Sequence, residues 1–284
     1  MSRWSGRWAA GWVTAPRAPD RAAIEHLLGR AVAALEPLAG GDISGIWLVT
    51  PVDGERVVAK AGDTARAEAE MLAALTAAGG PAPAVLAVSD TLLLIEHVPN
   101  DGRLAGPAWE ALAAALAPIH AATGAAYGWH RDHRFGPVAI ENGEAADWPA
   151  FWADRRLRCH LPHIPPALAG RIERLAEGLG DRLPARPPAS LLHGDLWGGN
   201  VLVDGKRIGG LIDPACYHGD REVDVAMLTL FDRPPPRFLD AMALDPGWRD
   251  RLPVYRLWPL LVHLRLFGAG YAGAVDAELD RLRV

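Results

Sequence analysis

Cysteine, lysine and asparagine are scarce in this chain, and the scarcities narrow what it can be. Cys159 and Cys216 are the only cysteines among 284 residues, which leaves neither a disulfide framework nor a cysteine-based metal site. No apolar run approaches the roughly 18 residues of a membrane-spanning helix. The N-terminal stretch MSRWSGRWAAGWVTAPRAPD has no continuous apolar core of signal-peptide length, so a soluble, cytoplasmic protein is expected. Positive charge is not in excess. With 34 acidic residues against 29 basic, the net charge is −5, which gives no electrostatic case for nucleic acid or an anionic membrane as partner. Hydrophobic residues make up 50% of the chain. That is enough for a sizeable core, and the length suits two lobes.

The lysine shortage points to one residue. Lysine occurs only at Lys60 and Lys206, with arginine supplying the other basic positions. Lys206 falls in a hairpin turn and is expected to face solvent. Lys60 ends an apolar strand, where a compact ammonium that fits under a polyphosphate is one reason to avoid arginine. The segments around it read as strand (31–38), Gly-rich turn, strand (46–50), Asp53-Gly54 turn and strand (56–60). Backbone N–H groups of Gly40, Gly41, Asp42, Ile43 and Ser44 could cover phosphates, because glycine lets the chain approach closely. The turn lacks full G-x-G-x-x-G spacing, and a plain hairpin fits it as well. Upstream, residues 1–18 show no period and form an N-terminal extension. Asp20 is placed to cap a helix over 21–28 that ends at Gly29.

Beyond Lys60, residues 64–78 have helical spacing, with Glu68, Leu72 and Leu75 at i, i+4 and i+7. Kinase folds pair a strand lysine with a helix glutamate over the nucleotide phosphates, and Glu68 or Glu70 could serve. Strands over 85–88 and 91–98 follow. In a kinase the second runs into the hinge that binds adenine, here Glu96, His97 and Val98.

The most informative stretch is LLHGDLWGGNVLVDGKRIGGLID, residues 191–213. Protein-kinase catalytic loops read H-R-D-L-x-x-x-N, with an Asp base, an Asn on magnesium and a later metal-binding Asp. Here Asp195, Leu196, Asn200 and Asp213 hold those places, and Gly194 replaces the arginine. A five-residue loop can turn Asp195 toward an acceptor hydroxyl and Asn200 toward a metal. The hairpin through Asp204-Gly205 then delivers Asp213 to the other side of that metal. The residues alone therefore read as a small-molecule kinase using ATP and Mg2+. No Ser or Cys nucleophile with a paired His suggests hydrolysis instead.

HGDLWGGNVLVDG followed by LIDPACYHGDREVDVAML resembles the fructosamine kinases, or ketosamine-3-kinases. The similarity extends over about residues 35–272 and is weaker around 100–145. It implies an α+β, bilobal protein-kinase-like fold related to the aminoglycoside phosphotransferases. The expected division is a nucleotide-binding lobe over 19–98, with a small antiparallel sheet and one helix, and a larger helical lobe over 99–284. The resemblance favours Glu68 over Glu70 as the lysine's partner. It implies a free or protein-linked ketosamine as the substrate, phosphorylated on its sugar at the third carbon, with an unstable product that releases the amine. Trp197 would stack on the sugar, and His263 would touch the substrate from the closing helix. Nothing in the sequence specifies an oligomer. Two rivals are a kinase for an aminoglycoside or amino alcohol, and a nucleotide-binding module without turnover.

Helices are further expected over 109–122, 148–161, 168–183, 223–231 and 251–270. His120 reads as a packing or capping residue, and His130 and His133 as members of a Gly-bounded loop. Asp220, Glu222 and Asp224 suit a helix N-terminus, and Asp224 could anchor the catalytic loop from behind. Pro234 to Pro236 reads as a stiff break.

Overall fold

The computed structural model describes residues 18–38 and 45–284. The extension up to residue 17 and the expected phosphate loop, Gly40 to Ser44, lie outside the described residues. The chain divides into two compact units. One comprises the described residues up to Arg66 together with Leu86–His97, and the other Ala67–Val85 with Val98–Val284.

The smaller unit begins with α1 (Arg21–Leu28). The Asp20 carboxylate caps it by accepting from the Ala22 N–H, and Gly29 ends it at φ 65°. Four strands follow in the order β1 (Val32–Pro37), β2 (Gly45–Pro51), β3 (Val57–Ala61) and, after the helix α2 (Ala65–Ala77), β4 (Val85–Val88); β5 (Leu92–Glu96) completes the sheet. The spatial order is β1-β2-β3-β5-β4, and the β1-β2, β2-β3 and β3-β5 pairs are antiparallel. The side-chain period of two builds its core: Trp47 and Val49, Val57 and Ala59, and Leu92 and Leu94 bury one face with Ile24 of α1. Lys60 lies in the opposite alternation, buried, between Ile46 of β2 and Leu93 of β5.

The larger unit holds most of α2, then α3 (Ala108–Ala121), β6 (His133–Phe135), β7 (Val138–Ile140), α4 (Trp148–Trp152), α5 (Pro166–Glu177) and β8 (Ser190–Leu192). After these come β9 (Val201–Asp204), β10 (Arg207–Leu211), β11 (Tyr217–Gly219), α6 (Glu222–Phe231), α7 (Pro236–Ala241), α8 (Trp248–Phe267) and α9 (Ala272–Arg281). It has two cores, and β8 divides them. Leu191 joins Met71, Leu112, Val201, Leu211 and Val225 in one. Leu192 joins Trp148, Trp152, Tyr217, Tyr255 and Trp258 in the other.

Several expected elements differ. The helix over 148–161 is not one helix: α4 gives way to a π turn at Ala153–Leu157 and a 3-10 stretch at Arg158–His163. The wider turn carries Arg156 fully into the core. There its guanidinium lies 4.2 Å from the Tyr217 ring centroid, 4.7 Å from Phe151 and 4.8 Å from Trp258. It donates to Glu141 O at 2.7 Å and to Asn142 Oδ1 at 2.6 Å. The helix expected to reach residue 183 stops at Glu177, before Gly178. The His130–His133 segment does not stay a loop, since His133 opens the β6-β7 hairpin. The proline break starts α7, with Pro236 at its first position, where a missing N–H costs nothing. The closing helix α8 begins three residues earlier than expected and ends at Phe267, and α9 was not anticipated. Among the described residues no helix is long and apolar enough to cross a membrane.

Candidate active site

The predicted catalytic stretch leaves β8 at Leu192, which pairs with Tyr217 of β11. His193 is buried and held at three points. Its N–H donates to Asp224 Oδ2 at 3.0 Å, Nε2 donates to Ile212 O at 3.0 Å, and Nδ1 accepts from the Asp195 N–H at 3.3 Å. Burial pushes its pKa down, so the ring is neutral, as this donor and acceptor pattern requires. Gly194 explains the missing arginine. Its φ is +80°, and a Cβ would come within 2.0 Å of Ala215 O. No side chain fits there.

Asp224, in the first turn of α6, accepts from His193 N, from Gly194 N at 2.9 Å and from His120 Nε2 at 2.9 Å. Burial alone would raise its pKa. The hydrogen bond and charge of His120, together with the Gly194 N–H, outweigh it, and the net shift is downward. Asp224 is therefore the fixed anion beneath the loop, as the sequence suggested, and His120 is its packing partner.

Asp195 and Asn200 meet across the five-residue turn. Asn200 Nδ2 donates to Asp195 O at 2.8 Å and to Asp195 Oδ2 at 3.0 Å, so the amide oxygen is the atom turned away from the Asp195 carboxylate. The backbone of Asn200 then fixes Asp213: Ile212 N donates to Asn200 O at 3.0 Å, and Asp213 follows at φ 53°, rare for a residue with a side chain. Burial and the neighbouring Asp213 carboxylate push the Asp195 carboxyl up to about 7, against the pull of the Asn200 amide. An amide oxygen and a carboxylate oxygen are hard donors of the kind Mg2+ takes alongside water and phosphate oxygens, so these residues fit that ion. Among the described residues no group of three or more His, Cys, Asp or Glu is placed to hold a metal.

The LWGGN segment owes its two glycines to its neighbours. A Cβ on Gly199 would lie 2.3 Å from the Trp197 ring, and one on Gly198 would lie 2.6 Å from Asp232 Oδ1. Trp197 meets the edge of Phe231, with centroids 6.3 Å apart, and Phe231 lies 5.1 Å from His263. The two expected substrate residues thus belong to one aromatic series joined by Phe231, a residue the sequence reading passed over. His263 donates Nδ1–H to Pro259 O at 2.7 Å, which fixes its ring.

The expected nucleotide residues are placed separately. Lys60 is on β3. Glu96 ends β5 opposite Val57, and His97 follows, its pKa lowered by burial and by Arg56. Val98 packs against Gly209 of β10. Glu68 is buried in the first turn of α2. Glu70 is engaged elsewhere, accepting from Arg131 Nη2 at 2.8 Å and facing His130 Nε2 at 3.4 Å.

A carboxylate, an amide and a second carboxylate in this order, on a helical unit preceded by a five-stranded sheet, match a phosphotransferase of the protein-kinase-like class. An aminoglycoside phosphotransferase in complex with ADP and hygromycin B has the same fold, with TM-score 0.67 at 20% identity over 92% of this chain and 98% of that one. The chain belongs to the fructosamine kinase family, whose profile matches residues 20–283. That family is one of ATP-dependent phosphotransferases. A probable ketoamine kinase of Thermus thermophilus is 37% identical over 84% of this chain and 90% of its own length. One from Enterococcus faecium is 37% identical over 60% of this chain, and the match spans 65% of that protein. The structure of a candidate fructosamine-3-kinase from Thermobifida fusca aligns with TM-score 0.85 at 32% identity, over 93% of this chain and 98% of that one.

Proposed function

We propose that this protein transfers the γ-phosphoryl group of ATP to a sugar hydroxyl, at the third carbon, of ketosamines such as fructosamines or ribulosamines. The observation that carries the reading is the Asp195–Asn200 pair, set on a loop that Asp224 holds from below and followed by Asp213. Family membership supports the acceptor class. Asp195 accepts the proton of the attacking hydroxyl as the new O–P bond forms and the bond from γ-phosphorus to the ADP oxygen breaks. Its raised pKa suits a base that must release that proton again near neutrality. Asn200 and Asp213 would hold Mg2+, which neutralises charge on the transferring phosphate. Lys60, with Glu68, is assigned to the polyphosphate, the Gly40 to Ser44 turn to covering it, and Glu96 to Val98 to adenine. Trp197 and His263 are assigned to the acceptor. A phosphate on the third carbon makes the ketosamine unstable and frees the amine, so the reaction would reverse glycation.

The test is magnesium-dependent release of ADP from ATP with fructosyl-lysine or ribulosyl-lysine, beside kanamycin and choline. Turnover on the ketosamines, with phosphate located on the sugar, is the expected result. Turnover on kanamycin or choline alone would keep the kinase chemistry and discard the acceptor. Bound ATP with no turnover on any of the four would favour a nucleotide-binding module.

A further inference from the structure

The aromatic pair Trp197 and Phe231 has a carboxylate next to it in the chain. Asp232 caps α6 at its C-terminal end, directly after Phe231. Its Oδ2 accepts from the Gly198 N–H at 2.7 Å, and its Oδ1 lies 2.6 Å from where a Cβ on Gly198 would be. The carboxylate therefore sits against the peptide that follows Trp197. A helix C-terminus carries partial negative charge, which makes it a poor place for a carboxylate and a good one for a cation. Burial raises the Asp232 pKa, and the Gly198 N–H opposes that rise. Arg256, which α8 presents to α6, is taken up by Thr229 Oγ1 at 3.2 Å and by Glu278 at 3.9 Å. Trp197 precedes the Gly198 that Asp232 accepts from, Phe231 precedes Asp232, and the two rings meet edge to face with centroids 6.3 Å apart; aromatic faces attract ammonium groups.

We propose that Asp232, with Trp197 and Phe231, forms an ammonium subsite that holds the amine nitrogen of the acceptor and selects cationic ketosamines over neutral keto-sugars. The proposal rests on the ketosamine reading above and deepens it. Asp195 precedes Trp197 by two residues and is bonded to Asn200, and Asp232 accepts from the N–H of Gly198, the residue that follows Trp197. An acceptor with its hydroxyl at the first and its amine at the second would lie along the indole. A ketosamine has the required form, since its amine is on the first carbon of the sugar and its reacting hydroxyl a short carbon span away.

The experiment is calorimetric titration of the full chain with N-fructosylpropylamine and with 1-O-propylfructose, a neutral isostere in which oxygen replaces the amine. Wild type is expected to bind the amine at least about tenfold more tightly, the discrimination expected of a partly exposed charge pair. Asp232→Asn keeps an acceptor for the Gly198 N–H and removes only the charge. It should bind the two sugars equally. Equal affinities in wild type, or a preference that survives in Asp232→Asn, would overturn the subsite. If Asp232→Asn does not fold, Phe231→Leu serves in its place: it removes one ring of the subsite and keeps the carboxylate, and an undiminished amine preference in it would overturn the subsite. Turnover with ATP, measured on the same samples, separates the two readings. A binding preference without phosphorylation leaves the subsite and removes the kinase assignment. Equal kcat/KM on both sugars does the reverse.

Discussion

At the residue scale, the catalytic loop is specified by what each position excludes. Asp195→Ala removes the proposed base and leaves the nucleotide residues untouched. Phosphoryl transfer should fall by about 100- to 10,000-fold while calorimetry still reports ATP binding; unchanged turnover would dismiss Asp195 as the base. Lys60→Ala should likewise lower kcat/KM by orders of magnitude, and a wild-type rate would exclude a phosphate role. Gly199→Ala tests the acceptor side. Its methyl group must displace the Trp197 ring, so kcat/KM for the ketosamine should fall by about 100-fold with the KM for ATP unchanged. A parallel rise in both KM values would mean that the loop has collapsed. Asp195, Asn200 and Asp213 were legible in the sequence as candidates because their spacing matches that of the kinase catalytic loop. His193 and Asp232 were not assigned roles. His193 acts through its bond to the Ile212 carbonyl and Asp232 through the Gly198 N–H, partners brought from elsewhere in the fold, and such bonds leave no mark in linear spacing.

At the scale of elements, the strands of the smaller unit and the Asp204-Gly205 hairpin were read closely, while the β6-β7 hairpin, the β8-β11 pair and the helix ends were not. The strand alternation around Trp47, Val57 and Leu92 fixes a buried face, and the Asp53-Gly54 turn, with Gly54 at φ 102°, needs only local chemistry. The segment after Asp147 was read as a plain helix because WPAFWADRRLRCHL has a helical apolar pattern. Its π turn is decided by tertiary packing: a guanidinium drawn into a box of three aromatic rings. Burial lowers the Arg156 pKa, and no carboxylate pairs with it in the described bonds. Cation–π contacts and the Glu141 and Asn142 oxygens are what hold it. Arg156→Ala should destabilise the protein by about 3–5 kcal/mol, the range for emptying a large buried site or stranding its polar partners. The urea midpoint measures this. A loss below about 1 kcal/mol would mean that the segment relaxes to a regular helix at little cost.

At the scale of the whole molecule, stability should depend on pH through buried neutral histidines. His160 is the strongest case. It is fully buried on the 3-10 stretch, with Arg265 Nη1 3.3 Å from Nδ1 and no acceptor for Nε2 among the described residues. Burial, then the positive charges of Arg265 and Arg156, depress its pKa from 6.5 to about 3. His193 and His218 are also depressed, mainly by burial. A group with a folded pKa below its unfolded value binds its proton more readily in the unfolded chain, so acid favours unfolding. The contribution of His160 is complete above about pH 6.5 and is lost progressively as the pH falls toward 3. Between roughly pH 4 and 6 it approaches one proton, or about 1.4 kcal/mol per pH unit. Urea unfolding across that range should therefore show a falling free energy in wild type and a slope shallower by nearly one proton in His160→Leu. If the two slopes coincide, the imidazole is protonated in the folded state, and the packing of Arg156 and Arg265 around it must tolerate a third positive charge.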